Sequence, residues 1–388
     1  MNKTASGTSR PSTSVSGVQP KAGTRLLYID NIRVFLTILV LLFHMMIIYA
    51  GTGSWLYTEG RQDEITSLIG AWFIAVTQAY FMGLFLFVSA YFVPGSYDRK
   101  GAGRFMKDRL IRLGIPLVIY SWIIDPLLGY ALKVWLNGPR RLYWSDILGH
   151  FSDGSLIGSG PMWFIETLLI FSVLYTLWRS FTGDRPVQPA GETRFPSNIS
   201  VAILALLLGV AGFLVRLWLP IGNNFRQLNL QFPFFAQYIV LFILGLIAYR
   251  RNWLGGLPET QGRLWLVIAI ILILFFPLLI LAGGSPDNFF GGWRWQALAY
   301  ALWESFLCFG MCIGLIYLFR RYANRQGGLA RFLSPNAYTA YLIHGPVITI
   351  LALAARDVSL YPLLKWVLVS LVAIPLCFAL SNLIRKLP

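Results

Sequence analysis

Ten predominantly apolar runs of about 18–25 residues follow one another along this 388-residue chain. They lie at roughly 33–51, 69–93, 113–134, 161–180, 199–219, 232–249, 264–282, 294–319, 335–355 and 360–384. At 1.5 Å per residue each is long enough to cross a hydrocarbon core of about 30 Å. A backbone at that depth meets no water and must bond to itself, so the runs are helices, and they lack the polar/apolar alternation of a barrel strand. The fold class expected is therefore all-α, a polytopic transmembrane bundle of about ten helices. Composition agrees: 12% of the residues are charged, against about a quarter in a soluble domain, so the chain cannot clothe itself in a water-facing surface.

The charges that remain are lopsided, 32 Lys+Arg against 16 Asp+Glu, a net +16. That balance is one nucleic-acid binders share, but the basic residues sit in short clusters between the apolar runs, which is membrane topology, and no nucleic-acid partner is expected. With the N-terminus inside, 22 of the basic residues fall in inside segments, 6 in outside loops and 4 within or at the ends of spans. This loop-by-loop alternation predicts a multi-pass protein of the cell (cytoplasmic or inner) membrane with both termini cytoplasmic. Residues 1–24, rich in Ser, Thr, Gly, Pro and Ala without an apolar core, read as a disordered cytoplasmic tail, and 25–388 as the membrane domain. The longest external loop, about 135–160, carries Trp135, Pro139, Tyr143, Trp144 and His150; it is either an interfacial lid or binding loop, or plain connecting structure. Cys308, Cys312 and Cys377 show no metal spacing and read as small buried hydrophobes; no metal is expected.

Ionisable groups inside a span are costly, so each is a functional candidate. Arg33 and His44 are eleven residues apart in the first span, about 20° from three full turns, so they share a face about 16 Å apart. A basic group at the cytoplasmic mouth and an imidazole near mid-depth suggest an entry path for an anionic molecule. His344 in the ninth span lies at a similar depth. It either lines the same cavity or is a structural imidazole bonded to a backbone carbonyl beside the Gly345-Pro346 kink. Glu304, Asp125 and Glu166 are the carboxylates within spans, and one of them is expected to bond an imidazole nitrogen and fix its tautomer, unless it pairs with Arg216 or Lys133. Arg109 and Arg112, three apart on one helical face, form a fork suited to phosphate; positive-inside anchoring alone also explains them.

Four motifs carry a resemblance: Asp30-x-x-Arg33-x(10)-His44, Arg109-x-x-Arg112, Pro161-Met162-Trp163-Phe164, and Tyr338-x-x-Tyr341-Leu342-x-His344. With them the chain after residue 25 resembles the acyltransferase 3 family of membrane-bound O-acyltransferases, which acylate carbohydrates and related surface molecules. The resemblance implies that His44 is catalytic and that Arg33, Arg109 and Arg112 bind acyl-CoA or shape its site. His344 and Glu304 are expected to complete the catalytic set. It further implies transfer of an acyl group, acetyl first among them, from cytoplasmic acyl-CoA (acetyl-CoA) to a hydroxyl of an extracytoplasmic glycan or related acceptor. The hydrolase-like domain fused to some members is not expected here. The rival expectation is a transporter or flippase for a glycan or lipid-linked sugar, with His44, His344 and Glu304 as a proton relay, although no internal repeat supports it.

Overall fold

The computed structural model describes residues 25–59, 63–138, 160–183, 194–223 and 230–387. Among the described residues ten helices are long and apolar enough to cross a membrane: α1 (Leu27–Ala50), α2 (Glu64–Tyr91), α3 (Val93–Asn137), α4 (Trp163–Thr182), α5 (Asn198–Trp218), α6 (Phe232–Arg250), α7 (Glu259–Gly283), α8 (Trp295–Tyr322), α9 (Gly328–Ala354) and α10 (Pro362–Ile384). The expected number and order of spans hold. The N-terminal segment, most of the long loop with Tyr143, Trp144 and His150, and the ends of three other loops lie outside the described residues.

Two spans depart from the plain helices expected. α2 breaks after Gln78 and resumes at Phe81, which takes a carbonyl out of the helical ladder. Gln237 of α6 repairs the break by donating from Nε2 to the Ala79 carbonyl at 2.7 Å, and Gln78 donates to the Tyr238 hydroxyl at 3.2 Å. α3 begins about twenty residues before its apolar run. Its 45 residues would span about 68 Å, more than twice the hydrocarbon thickness, so the polar first part lies outside it. Gly101, at φ 71°, kinks that part, a backbone conformation cheap only for glycine. Two π-turns, Leu110–Gly114 and Tyr120–Ile124, then widen the helix where it passes the arginine pair and its neighbours.

α1 and α8 are the most enclosed helices, while α5, α7 and α10 turn much of their surface to lipid. α1 packs against α2, α8, α9 and α10 and so forms the axis of the site described below. Lipid tails are as apolar as leucine, so close approach and polar pairing must hold the helices together. Gly310 and Gly314 of α8 let α7 in so closely that a Cβ on either would come within 3.0 Å of Trp265, Leu266 or Ala269. Gly245 does the same for α6 against α2: a Cβ there would lie 2.4 Å from the Phe87 carbonyl oxygen. On the side opposite the described chain ends, Asp63 caps α2, accepting from the amide and hydroxyl of Thr66, which hold its carboxyl below the usual range.

The strongest polar tie is between α5 and α8. Arg216 donates from Nη2 to Glu304 Oε2 at 2.5 Å and from Nε to the Pro233 carbonyl at 3.3 Å, and its guanidinium lies over Phe234 and Tyr300. Both side chains are essentially closed to solvent. Removing one partner from such a pair strands the other charge, at about 3–5 kcal/mol, whereas replacing both with apolar groups is often neutral. Arg216→Met should therefore lose about 3–5 kcal/mol of unfolding free energy in detergent. Adding Glu304→Leu should recover most of that loss. Equal losses in the single and double variants would show that the pair does not tie these helices together.

Candidate active site

α1 and α9 pack side by side, and their two histidines meet. The path is easiest to follow along α9. Tyr338 donates its hydroxyl to the backbone carbonyl of Arg112, and Tyr341, one turn on, donates to the carbonyl of Pro161. His344 follows, fully buried, with Nδ1 against the carbonyl of Tyr341. Its Nε2 lies 3.1 Å from Nδ1 of His44, and the two rings stack with centroids 5.0 Å apart and planes 29° apart. Three of the four sequence motifs therefore touch at this one helix, and the fourth reaches it through His44.

This bonding pattern assigns protons. A carbonyl only accepts, so Nδ1 of His344 carries hydrogen. In the neutral ring Nε2 is then a lone pair, and His44 must donate from its own Nδ1 to make the bond. The Val40 carbonyl also accepts from this ring, which fits Nδ1 as the protonated nitrogen, and Nε2 of His44 is then the lone pair, on a half-buried ring whose partner is wholly enclosed. An imidazole with one nitrogen tied and the other bare is equipped to accept a proton or to attack a carbonyl carbon. Phe43 sets its edge against His44 at 5.4 Å and packs on Phe81, closing one side of the ring.

Glu304 does not partner the imidazoles. It is held by Arg216, away from them. Asp125 is buried on α3 beside Tyr120, and Glu166 is buried on α4 with Oε2 lacking a hydrogen bond. What the structure places beside His44 is His344 and, behind it, the Tyr341 carbonyl. His344 bonds a backbone carbonyl of its own helix, as one of the two readings had it, and its ring also contacts that of His44.

The three arginines gather at the basic end. Arg33 lies 4.8 Å over the ring of Phe92 and 3.7 Å from Asp30. Arg109, over Phe105 at 5.1 Å, is within coulombic range of Arg33, Arg112 and Asp108. Tyr338, bonded to the Arg112 carbonyl, stands six residues before His344 on α9, so the cluster is about 9 Å along that helix from the imidazoles. Guanidinium groups so crowded repel one another unless an anion joins them, which makes the cluster a fit for phosphate. No group of three metal-ligating side chains occurs among the described residues.

Two contributors escaped the sequence reading. Trp55, in the loop after α1, places its ring 4.2 Å from that of His44. Tyr120, from the second π-turn, brings its hydroxyl against Gly345 and Gly160. Trp55 stands in a loop and Tyr120 within an apolar run that marks no single residue, and only the return of distant segments to α9 brings them to the site.

The acyltransferase domain characteristic of the acyltransferase 3 family matches residues 26–382 of this chain. Glucans biosynthesis protein C of Salmonella heidelberg (strain SL476) is 25% identical over 348 residues, covering 82% of this chain and 81% of that protein. The proteins of the same name from Salmonella schwarzengrund (strain CVM19633) and Salmonella typhi are each 24% identical over the same coverage. No solved structure matches. With the paired imidazoles, the arginine cluster and a family match across nearly its whole length, this chain belongs to the acyltransferase 3 family and is a multi-pass membrane O-acyltransferase.

Proposed function

We propose that this enzyme transfers an acyl group, acetyl in the first instance, from cytoplasmic acyl-CoA to a hydroxyl of an extracytoplasmic glycan, with His44 as the catalytic residue. The observation that carries this reading is the tied imidazole pair, which leaves Nε2 of His44 bare between an arginine cluster on one side and an aromatic loop on the other. The name of the Salmonella relatives concerns glucans, which supports a glycan acceptor. The arginine-rich end supports a cytoplasmic donor side, because basic residues favour that face.

Acyl-CoA is the donor substrate, and its phosphates suit the guanidinium forks of Arg33, Arg109 and Arg112. The acceptor hydroxyl gives its proton to His44 Nε2 while its oxygen attacks the thioester carbonyl carbon. The C–S bond breaks, and the leaving thiolate takes the proton back from the imidazolium, yielding an ester and the free thiol. Positive charge on His44 is shared with His344 through the Nδ1–H bond and stabilised by the Tyr341 carbonyl, the part a carboxylate plays in a hydrolase triad. The same lone pair can instead take the acyl group first and hand it on. A stoichiometric burst of CoA in the absence of acceptor belongs to that covalent route alone.

Folded His44→Gln protein should lose at least about 10²-fold in transfer, the lower bound for a missing general base, while still binding CoA. A variant that keeps more than about a tenth of the parent rate, a loss under ~1.4 kcal/mol, would remove His44 from the chemistry. For the donor end, Arg109→Lys and Arg112→Lys keep the charge but lose the fork, so each should weaken CoA binding. Unchanged affinity in both would reduce the pair to a topological anchor. The orientation has its own check. Cys308, Cys312 and Cys377 are buried, so a new Ser54→Cys thiol should be the one that labels with an impermeant reagent on intact cells. Lys100→Cys should label only after permeabilisation, and the reverse pattern would invert the topology.

A further inference from the structure

We infer that Trp55 is the residue that meets the acceptor: it positions His44 and presents an apolar aromatic wall to the C–H face of a sugar ring. This rests on the function proposed above and adds to it where the acceptor binds. The loop that carries Trp55 leaves α1 at Gly51, whose φ of 64° turns the chain back over the helix end. Glu59 then returns to the same end, its amide donating to the Ile48 carbonyl at 2.9 Å. A second tie holds the loop from the side. Lys365 of α10, almost wholly buried, donates to Glu59 Oε1 at 2.6 Å and to the Arg356 carbonyl at 3.3 Å.

Between these ties the indole is folded inward. Its centroid is 4.2 Å from that of His44 and 6.3 Å from that of His344, with planes about 30° from each. Its Nε1 donates to Thr349 Oγ1 at 3.1 Å, and that hydroxyl donates in turn to the Gly345 carbonyl at 2.8 Å. Thr349 is buried, and the chain of donors runs one way, so the indole is anchored on the helix that carries His344. An indole has a single donor, and here it is used up. What the half-buried ring can still offer a ligand is its apolar surface. A pyranose has such a face in its axial C–H bonds, with hydroxyls around the rim that can reach a neighbouring base. His44 Nε2 is that base in the proposed reaction. Trp55 also stands on the end of α1 away from Arg33, six residues past His44 being the last of the helix, so it belongs to the acceptor's approach and not to the donor's.

The test is steady-state kinetics of purified enzyme in detergent, with acetyl-CoA as donor and a linear β-glucan oligosaccharide as acceptor, read against CoA affinity by calorimetry. Trp55→Ala should raise the acceptor KM at least tenfold and leave CoA affinity within twofold. Trp55→Phe, which keeps a ring but not the anchor, should recover much of the acceptor KM. Thr349→Val, nearly isosteric, removes the anchor together with the hydroxyl's bond to the Gly345 carbonyl; it should lower kcat more than it changes KM and serves also if Trp55→Ala does not fold. A fall in kcat with unchanged acceptor KM in Trp55→Ala would make Trp55 a support for His44 alone, and weakened CoA binding would put it on the donor side. Either result overturns the inference while leaving the proposed function standing. Absence of any transfer by the parent enzyme would instead strike the proposed function itself.

Discussion

Polar groups within a bilayer have no water to fall back on, and almost every feature of this protein follows from how it satisfies them internally. The backbone does so by forming helices, and where α2 breaks, a glutamine side chain from α6 takes over the freed carbonyl. Charged side chains do so in pairs: Arg216 with Glu304 between α5 and α8, and Lys365 with Glu59 between α10 and the first loop. Such pairs contribute less through net attraction than through the penalty of separating them, so they select one arrangement of helices among many that would bury the same leucines. The glycine contacts of α6 and α8 then set how near the chosen neighbours come.

The imidazole pair obeys the same rule and turns it to chemistry. His344 is closed to solvent and bonds a carbonyl of its own helix and the ring of His44, and with the Val40 carbonyl beside His44 these bonds favour protonation of His44 at Nδ1. A tautomer is thus chosen by the need to leave nothing unsatisfied. The arginine cluster is the exception. Arg33, Arg109 and Arg112 crowd together with Asp30 and Asp108 as the nearby acids, an arrangement that a bound anion would relieve.

The spans and their number were legible because hydropathy and helical period act within a single segment. The motif residues were legible as a group for the same reason: each motif is one or two turns of one helix. What connects the motifs was not. Nothing in the spacing of Tyr338 or Tyr341 announces that one finds the Arg112 carbonyl and the other that of Pro161. Glu304 illustrates the limit well. A carboxylate at the depth of two histidines invites pairing with them, but depth is one coordinate of three, and Arg216 stands on the neighbouring helix. Trp55 was invisible for a different reason, since a loop residue has no periodicity, and its position depends on ties made by Glu59 more than three hundred residues away in sequence.

A reaction whose donor and acceptor lie on opposite sides of a membrane needs a centre that both can reach without a continuous aqueous path between them. The packing around His44 meets that demand. Toward the arginine end, α1 is enclosed by apolar contacts, among them Phe43 on Phe81 at 4.9 Å and Phe35 on Phe319 at 5.6 Å. Toward the other end, the indole of Trp55 covers the ring. His344 is closed off entirely while His44 is only half-buried, so of the two rings only the one with the bare nitrogen has an exposed edge. Donor and acceptor in the proposed reaction therefore converge on one atom from two directions, beside the rings of Phe43 and Trp55.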